Sequence, residues 1–384
     1  MIRLRTISIS DLPEFLLIGL LLAVTACEGQ EEETPVPPPL TQETPVDPAP
    51  PAEDDLQRLK KWAERLSIAR EVSVYGRLDA EDLAYVIGEV AAVSTDVNGN
   101  ILILDEKYHE LKVFDPDGRH LHTVGGAGRG PGEFLQPNTL DWLAADTLVI
   151  TDGTRRGQLF ERTPDGFLAF IRTFPTQVAV EGSCARDGDL WVHGMGPEMD
   201  RRVFRIDIEA GQLSESLAPV VPEEHPILRR RRALGFMACS SDLGLVVVTS
   251  RYFPDVQAFG FDGAARWTSG IQGFTPMEFT IVDGGGLRQG IAKDAGGFHW
   301  IVGAVFLDRS TIAVQVGWQT IESSEAGLDY TEIVTHLFSG HNGVSLKVGT
   351  GIPLIHEPVP GGFLASADDP FPRVLRYEYS EPGK

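Results

Sequence analysis

Chemistry-bearing side chains are scattered along this chain rather than gathered into a motif. The nine histidines show no metal-site spacing. His336 and His341 read as loop residues with a glycine between them, whereas a helical zinc pair needs two histidines four apart on one face. His120 and His122 share one face of an alternating stretch and read as solvated. No Gly-x-Ser-x-Gly elbow, P-loop or zinc-protease helix is present. The run GGAGRG (125–130) follows a strand pattern and precedes no helix, so it is not a phosphate cradle. Cys184 and Cys239 stand at similar places in CARDGDLWV (184–192) and CSSDLGLVV (239–247). They read as buried small hydrophobes; a bridge would need their Cα atoms within about 7 Å. The run Arg229-Arg230-Arg231-Arg232 reads as an exposed loop that pairs with nearby acids, with docking of an acidic partner or of phospholipid headgroups as the alternative. No residue is assigned to catalysis or to a metal, and no cofactor is implied.

Composition and the N-terminus narrow the setting. A hydrophobic share of 42% supports a sizeable core, and a net charge of -22 excludes a nucleic-acid surface, which needs a basic face. Arg3 and Arg5 precede an apolar run from Phe15 to Ala26. That run is shorter than the ~20 residues that span a bilayer, and it fits the apolar core of a signal peptide. Val24-Thr25-Ala26-Cys27 resembles the bacterial lipobox. The resemblance implies cleavage before Cys27, acylation of its sulfur, and a lipid-anchored protein of the bacterial cell envelope. It would sit at the periplasmic face of the outer membrane or at the cell surface.

Residues 28–55 hold nine acids, no Lys or Arg, and eight prolines. Such a segment cannot bury enough apolar area to offset its ordering entropy, so it reads as a disordered, partly extended tether. Leu56, Leu59, Trp62, Ala63 and Leu66 then fall on one helical face, which predicts a short helix packed over one end of the domain. The expected organisation is a signal peptide over 1–26, an acylated cysteine and linker over 27–55, a helix over 56–68, and an all-β domain over 70–380.

The elements that must position any site are short strands. Ile101–Leu104 is a continuous apolar run, as suits a strand buried on both faces. Asn98-Gly99 before it and DPDG (115–118) after the next strand are turn signals. The alternating segments 110–113 and 120–124 complete a meander. From Val113 through VFDPDG and Leu121 to GGAGRGPGEF (125–134) and Pro137, the chain resembles the NHL-type repeat. In that family a strand pair feeds a glycine-rich loop into the next blade of a propeller. Phe134 is expected to plug the gap between blades, and Glu133 to bond loop backbone.

Weaker copies recur at 140–174, 178–217, 234–271, about 287–347, and around 361–377. Six units predict a six-bladed β-propeller, in which Val72–Tyr75 completes the last blade.

Propeller ligands bind where loops converge on the central channel. The candidates by position are Arg129, Trp142, Arg186, Arg251, Arg288 and His356. The long fifth unit, with Trp300, Trp318 and the loop from Glu322 to Tyr330, departs furthest from the repeat. The expected function is a membrane-tethered extracytoplasmic scaffold that binds a small ligand or an envelope protein, with no catalysis of its own. The alternative is a channel-site lyase or lactonase-like hydrolase, as in some NHL-like propellers, using a divalent metal held by converging His or acidic side chains.

Overall fold

A computed structural model of the chain describes residues 53–78, 81–196, 198–282, 286–292, 295–320, 322–323 and 330–380. The expected signal peptide, Cys27 and nearly all of the tether lie outside these residues, as does most of the loop 322–330.

The described chain opens with α1 (Glu53–Ser67) and β1 (Arg70–Tyr75). Four-stranded antiparallel meanders follow. Blade 1 is β2 (Val90–Thr95), β3 (Ile101–Asp105), β4 (Glu110–Phe114) and β5 (His120–Gly125). Blade 2 is β6 (Pro137–Ala144), β7 (Thr147–Asp152), β8 (Arg156–Arg162) and β9 (Leu168–Pro175). Blade 3 is β10 (Ala179–Arg186), β11 (Asp189–Met195), β12 (Arg201–Asp207) and β13 (Gln212–Pro219). After α2 (Pro226–Ala233), blade 4 is β14 (Met237–Ser240), β15 (Leu245–Ser250), β16 (Phe253–Gly260) and β17 (Ala265–Gly270). A separate hairpin, β18 (Glu278–Val282) and β19 (Gly286–Gly290), precedes blade 5, which is β20 (Gly297–Phe306), β21 (Thr311–Thr320), β22 (Glu332–Ser339) and β23 (Ser345–Thr350). Blade 6 is β24 (Leu354–Val359), β25 (Gly362–Ala367) and β26 (Arg373–Glu378), completed by β1, which pairs Val74 with Leu375 and Tyr75 with Val374.

The first strands of the blades touch in the order β2, β6, β10, β14, β20, β24 and back to β2. The ring is closed, and the expected six-bladed propeller is the observed fold.

The apolar runs explain the ring. Each sheet is sandwiched between two others, so its central strands must be apolar on both faces. Ile101 and Ile103 pack with Tyr75, Leu364 and Val374 of blade 6, while Leu102 and Leu104 pack with Phe134, Leu140 and Ile150 of blade 2. Strand alternation sends successive side chains to opposite neighbours. Phe134 is fully buried in the seam between blades 1 and 2. Glu133 Oε2 accepts a hydrogen bond from the Gly130 amide at 2.7 Å. Both expectations for the glycine loop hold. Gly125 has φ +107°, and a Cβ there would lie 2.5 Å from the Phe134 ring, so only glycine fits.

Helix α1 buries Leu59, Trp62 and Leu66 against blades 5 and 6. The Trp62 Nε1 donates to Asp308 Oδ2 at 2.6 Å, and Asn342 donates to Asp55 at 2.7 Å.

Four expectations are corrected. Cys184 and Cys239 are not merely small hydrophobes; they form a disulfide between the inner strands of blades 3 and 4, with Cα atoms 6.3 Å apart. Arg229–Arg232 lie on helix α2 rather than in a loop, because Pro226 opens a helical turn between the blades. His336 is buried in β22, where burial lowers its pKa to about 4. The fifth blade begins at Gly297, and the chain before it forms its own hairpin.

Candidate functional site

Strand antiparallelism places the starts of the inner strands and the links between second and third strands at one end of the ring, here called the mouth. Geometry at the mouth is set by bulges. The register between first and second strands shifts at Val90/Ala92, Pro137/Thr139, Val180/Gly182, Ile301/Gly303 and Ile355/Glu357. Ala91, Asn138, Glu181, Val302 and His356 are therefore extra residues on their strands. A bulge bends its strand and re-aims a side chain. Asn138 Nδ2 donates to the Val180 carbonyl at 2.9 Å, and Glu181 Oε2 accepts from the Gly235 amide at 3.3 Å, each reaching toward the next blade.

Glu181 opens onto a cluster built by three blades. Arg251 sits in the link between β15 and β16. Its amide donates to the Leu234 carbonyl at 2.8 Å, and its carbonyl accepts from the Ile301 amide at 2.8 Å, so its backbone is held between blades 4 and 5. Its guanidinium carbon lies 5.2 Å from the Phe236 ring centroid and 5.8 Å from that of Trp300. Burial raises the Glu181 pKa, and the Arg251 charge, the Gly235 amide and the Arg230 charge act against that rise.

Behind this cluster lie His193 and Arg202, both fully buried. Burial lowers the His193 pKa to about 3, with the charges of Arg202 and Arg251 adding to the effect. Arg202 donates to Ser250 Oγ at 3.2 Å and to Gln257 Oε1, and burial lowers its pKa to about 10. Neither ring nitrogen of His193 has a hydrogen-bond partner among the described residues, and the same is true of Arg202 Nε, Arg251 Nε and Trp300 Nε1.

Helix α2 flanks the cluster. Arg229 donates to the Glu223 carbonyl, and Arg232 pairs with Glu223 at 3.7 Å and Asp255 at 3.5 Å. Arg231 and Arg232 lie over Tyr252 and Phe253.

A second polar group lies along the inner strands. Asp141 of β6 accepts from Ser183 of β10, and Ser183 also bonds Thr139 at 2.6 Å. Glu357 of β24 accepts from Thr95 of β2 at 3.1 Å. Burial raises both carboxyl pKa values to about 7, and the nearby Glu357 charge adds to the shift of Asp141. These acids can carry a proton near neutral pH. Sequence reasoning missed them; their one signal is an acid set within an inner strand, in TLDWL (139–143) and LIHEPV (354–359).

The six candidates do not converge. Arg251 is at the mouth cluster. Arg129 is exposed on the loop between blades 1 and 2, and Arg288 is exposed on β19. His356 bonds Ser366 at 2.8 Å within its own blade, and burial lowers its pKa to about 4. Trp142 and Arg186 lie toward the opposite ends of their strands. Trp142 packs under Arg162 at 4.7 Å, itself paired with Asp96 at 2.8 Å. Arg186 pairs with Asp187 at 3.2 Å and lies over Phe261 at 4.2 Å. It lines an open cavity of about 240 Å³ with Asp189, Arg205 and Glu215, where charges of both signs offset one another. Of the fifth-blade residues, Trp300 joins the mouth cluster, and Trp318 packs on His299 with ring centroids 4.6 Å apart. Among the described residues, no three His, Cys, Asp or Glu side chains are grouped so as to hold a metal ion.

A family described as 6-bladed beta-propeller matches residues 81–147, the stretch that includes blade 1. No curated protein matches this chain. Among solved structures, a protein of Bacteroides fragilis named as exported aligns over 82% of this chain and 96% of its own, with TM-score 0.54 and 12% identity. A DUF4221 family member from Bacteroides vulgatus aligns over 82% and 98%, with TM-score 0.51 and 9% identity. A protein of unknown function from Bacteroides thetaiotaomicron aligns over 80% and 76%, with TM-score 0.50 and 10% identity. The likeness is one of fold. It agrees with the ring of six sheets and carries no activity to this chain.

Proposed function

We propose that this propeller is a membrane-tethered, extracytoplasmic binding scaffold that takes a ligand or partner at the mouth of its ring and performs no chemistry of its own. The observation that carries the reading is the mouth cluster. Blades 3, 4 and 5 bring Glu181, Arg251 and Trp300 together, and Arg251 and Trp300 each keep a buried N–H without an acceptor among the described residues. Such donors are costly to leave unmade, by about 1–3 kcal/mol each, and a bound acceptor offsets that cost.

Two features support the location. The lipobox-like Val24-Thr25-Ala26-Cys27 precedes an acidic, proline-rich stretch suited to standoff from a bilayer. The Cys184–Cys239 disulfide suits an oxidising compartment outside the cytoplasm.

Three measurements test the reading. Cys27→Ser is expected to move the protein from the membrane to the soluble fraction and to abolish lipid labelling; unchanged labelling rejects the tether. Crosslinking in whole cells, followed by purification, is expected to recover a partner or ligand that Arg251→Ala no longer retains. Stoichiometric calcium or zinc in the purified protein would overturn the non-catalytic part.

A further inference from the structure

The mouth cluster carries more positive charge than its neighbours balance. Arg202 is fully buried; its guanidinium donates to the neutral side chains of Ser250 and Gln257, and the Asp255 charge that acts on it is shared with Arg232. Arg251 makes no ion pair among the described residues, and its flat faces meet Phe236 and Trp300. Buried charges are normally paired, because desolvation of an unpaired ion costs several kcal/mol. The nearby Glu181 is the acid that acts on Arg251; its half-buried carboxyl also accepts from the Gly235 amide, and it is one carboxylate set against two arginines. Here, in a protein of net charge -22, two arginines lie beside a neutral His193 with their Nε–H groups unmatched.

The missing component is an acceptor with negative charge. A guanidinium offers planar paired donors that fit carboxylate or phosphate oxygens. The flanking Phe236 and Trp300 give the same spot apolar walls.

On this basis we infer that the mouth holds an organic oxyanion, its charged head on Arg251 and its apolar body against the rim of the Phe236 and Trp300 rings that flank the guanidinium. This assignment rests on the proposal that the mouth is the binding face, and it adds the ligand's chemical class. Arg202 acts from behind as a fixed positive charge.

The shared chemistry is an oxygen-rich anion, and its head can be a carboxylate or a phosphate. Four probes separate these sources: acetate, benzoate, inorganic phosphate and phenyl phosphate, each titrated by calorimetry and by thermal shift against the full mature chain. At least one aromatic probe is expected to bind saturably and at least tenfold more tightly than its bare counterpart. The pair that responds identifies the head group. Arg251→Gln is expected to weaken that probe tenfold or more, Arg251→Lys to restore part of the loss, and Trp300→Ala, which removes one apolar wall, to weaken it by less. Circular dichroism establishes that each variant is folded, and Trp300→Ala decides the matter if Arg251→Gln does not fold. No saturable binding of any probe, or equal binding by the wild type and folded Arg251 or Trp300 variants, would overturn the assignment. Recovery of a mouth-dependent partner from cells alongside that negative result would leave the scaffold reading standing. Probe binding without any recovered protein partner would leave the oxyanion site standing and count against a protein as the scaffold's occupant.

Discussion

Cys184 and Cys239 occupy matching positions on the inner strands of neighbouring blades and are joined there, Cα to Cα at 6.3 Å. Each pairs within its own blade with a residue of the second strand, Trp191 and Val246 respectively. The bond therefore ties two blades at the ring wall, toward the end opposite the mouth. Its closed loop, with a sequence separation of 55, gives about 4 kcal/mol by loop-closure entropy. The double substitution Cys184→Ala, Cys239→Ala is expected to lower stability by about 2–4 kcal/mol. Urea unfolding with and without reductant checks it. A wild-type midpoint that ignores reductant would show that the bond does not hold the ring.

Phe134→Ala is expected to cost about 3–5 kcal/mol, because the ring fills the seam between blades 1 and 2 and its removal leaves a cavity. Gly125→Ala disturbs the same seam from the backbone side, since its new methyl would meet that ring at a left-handed φ. The control is Phe167→Ala, at 53% exposure, which is expected to change the chemical-denaturation midpoint little.

Asp141 predicts a pH dependence. Its pKa rises from 3.8 to about 7 in the fold, so the native state holds the proton more tightly than the unfolded chain. The stability it contributes is complete below about pH 4 and is lost as pH rises through about 7. Asp141→Asn cannot lose that proton. Relative to wild type, it is expected to gain stability between pH 4 and pH 8, by at most about 4 kcal/mol and by less where the carboxyl meets water. Denaturation curves at the two pH values check this. A parallel pH profile for the two proteins would reject a protonated Asp141 in the ring.

Trp62 anchors α1 through the blade 5–6 seam and its bond to Asp308. Trp62→Phe keeps most of the apolar contact, and Asp308 still accepts from Ser310 and Thr311 amides. A cost of about 1 kcal/mol is expected, the net value of one hydrogen bond. Trp62→Ala is expected to cost about 3–5 kcal/mol. Proteolysis that trims α1 from the alanine variant, and spares wild type, would show the helix undocking.

The sequence alone determined the ring of six blades, the closing strand and the role of Phe134. Those features are local: an apolar run of two-residue period, a glycine turn, a repeat length. The helical face of Leu59, Trp62 and Leu66 is local in the same way. The mouth cluster and the disulfide depend instead on residues distant in the chain. Glu181, His193, Arg202, Arg251 and Trp300 come from three blades, and none has a partner at a fixed spacing. A β-bulge aims Glu181, and no residue pattern marks where a register will slip. Cys184 and Cys239 stand at equivalent repeat positions in the sequence, but whether two such positions meet depends on how closely neighbouring inner strands pack. Arg202 and Asp141 read as ordinary charged strand residues until the adjoining blade covers them. Burial, which sets both their protonation and their missing partners, is a property of the closed ring and of no single repeat.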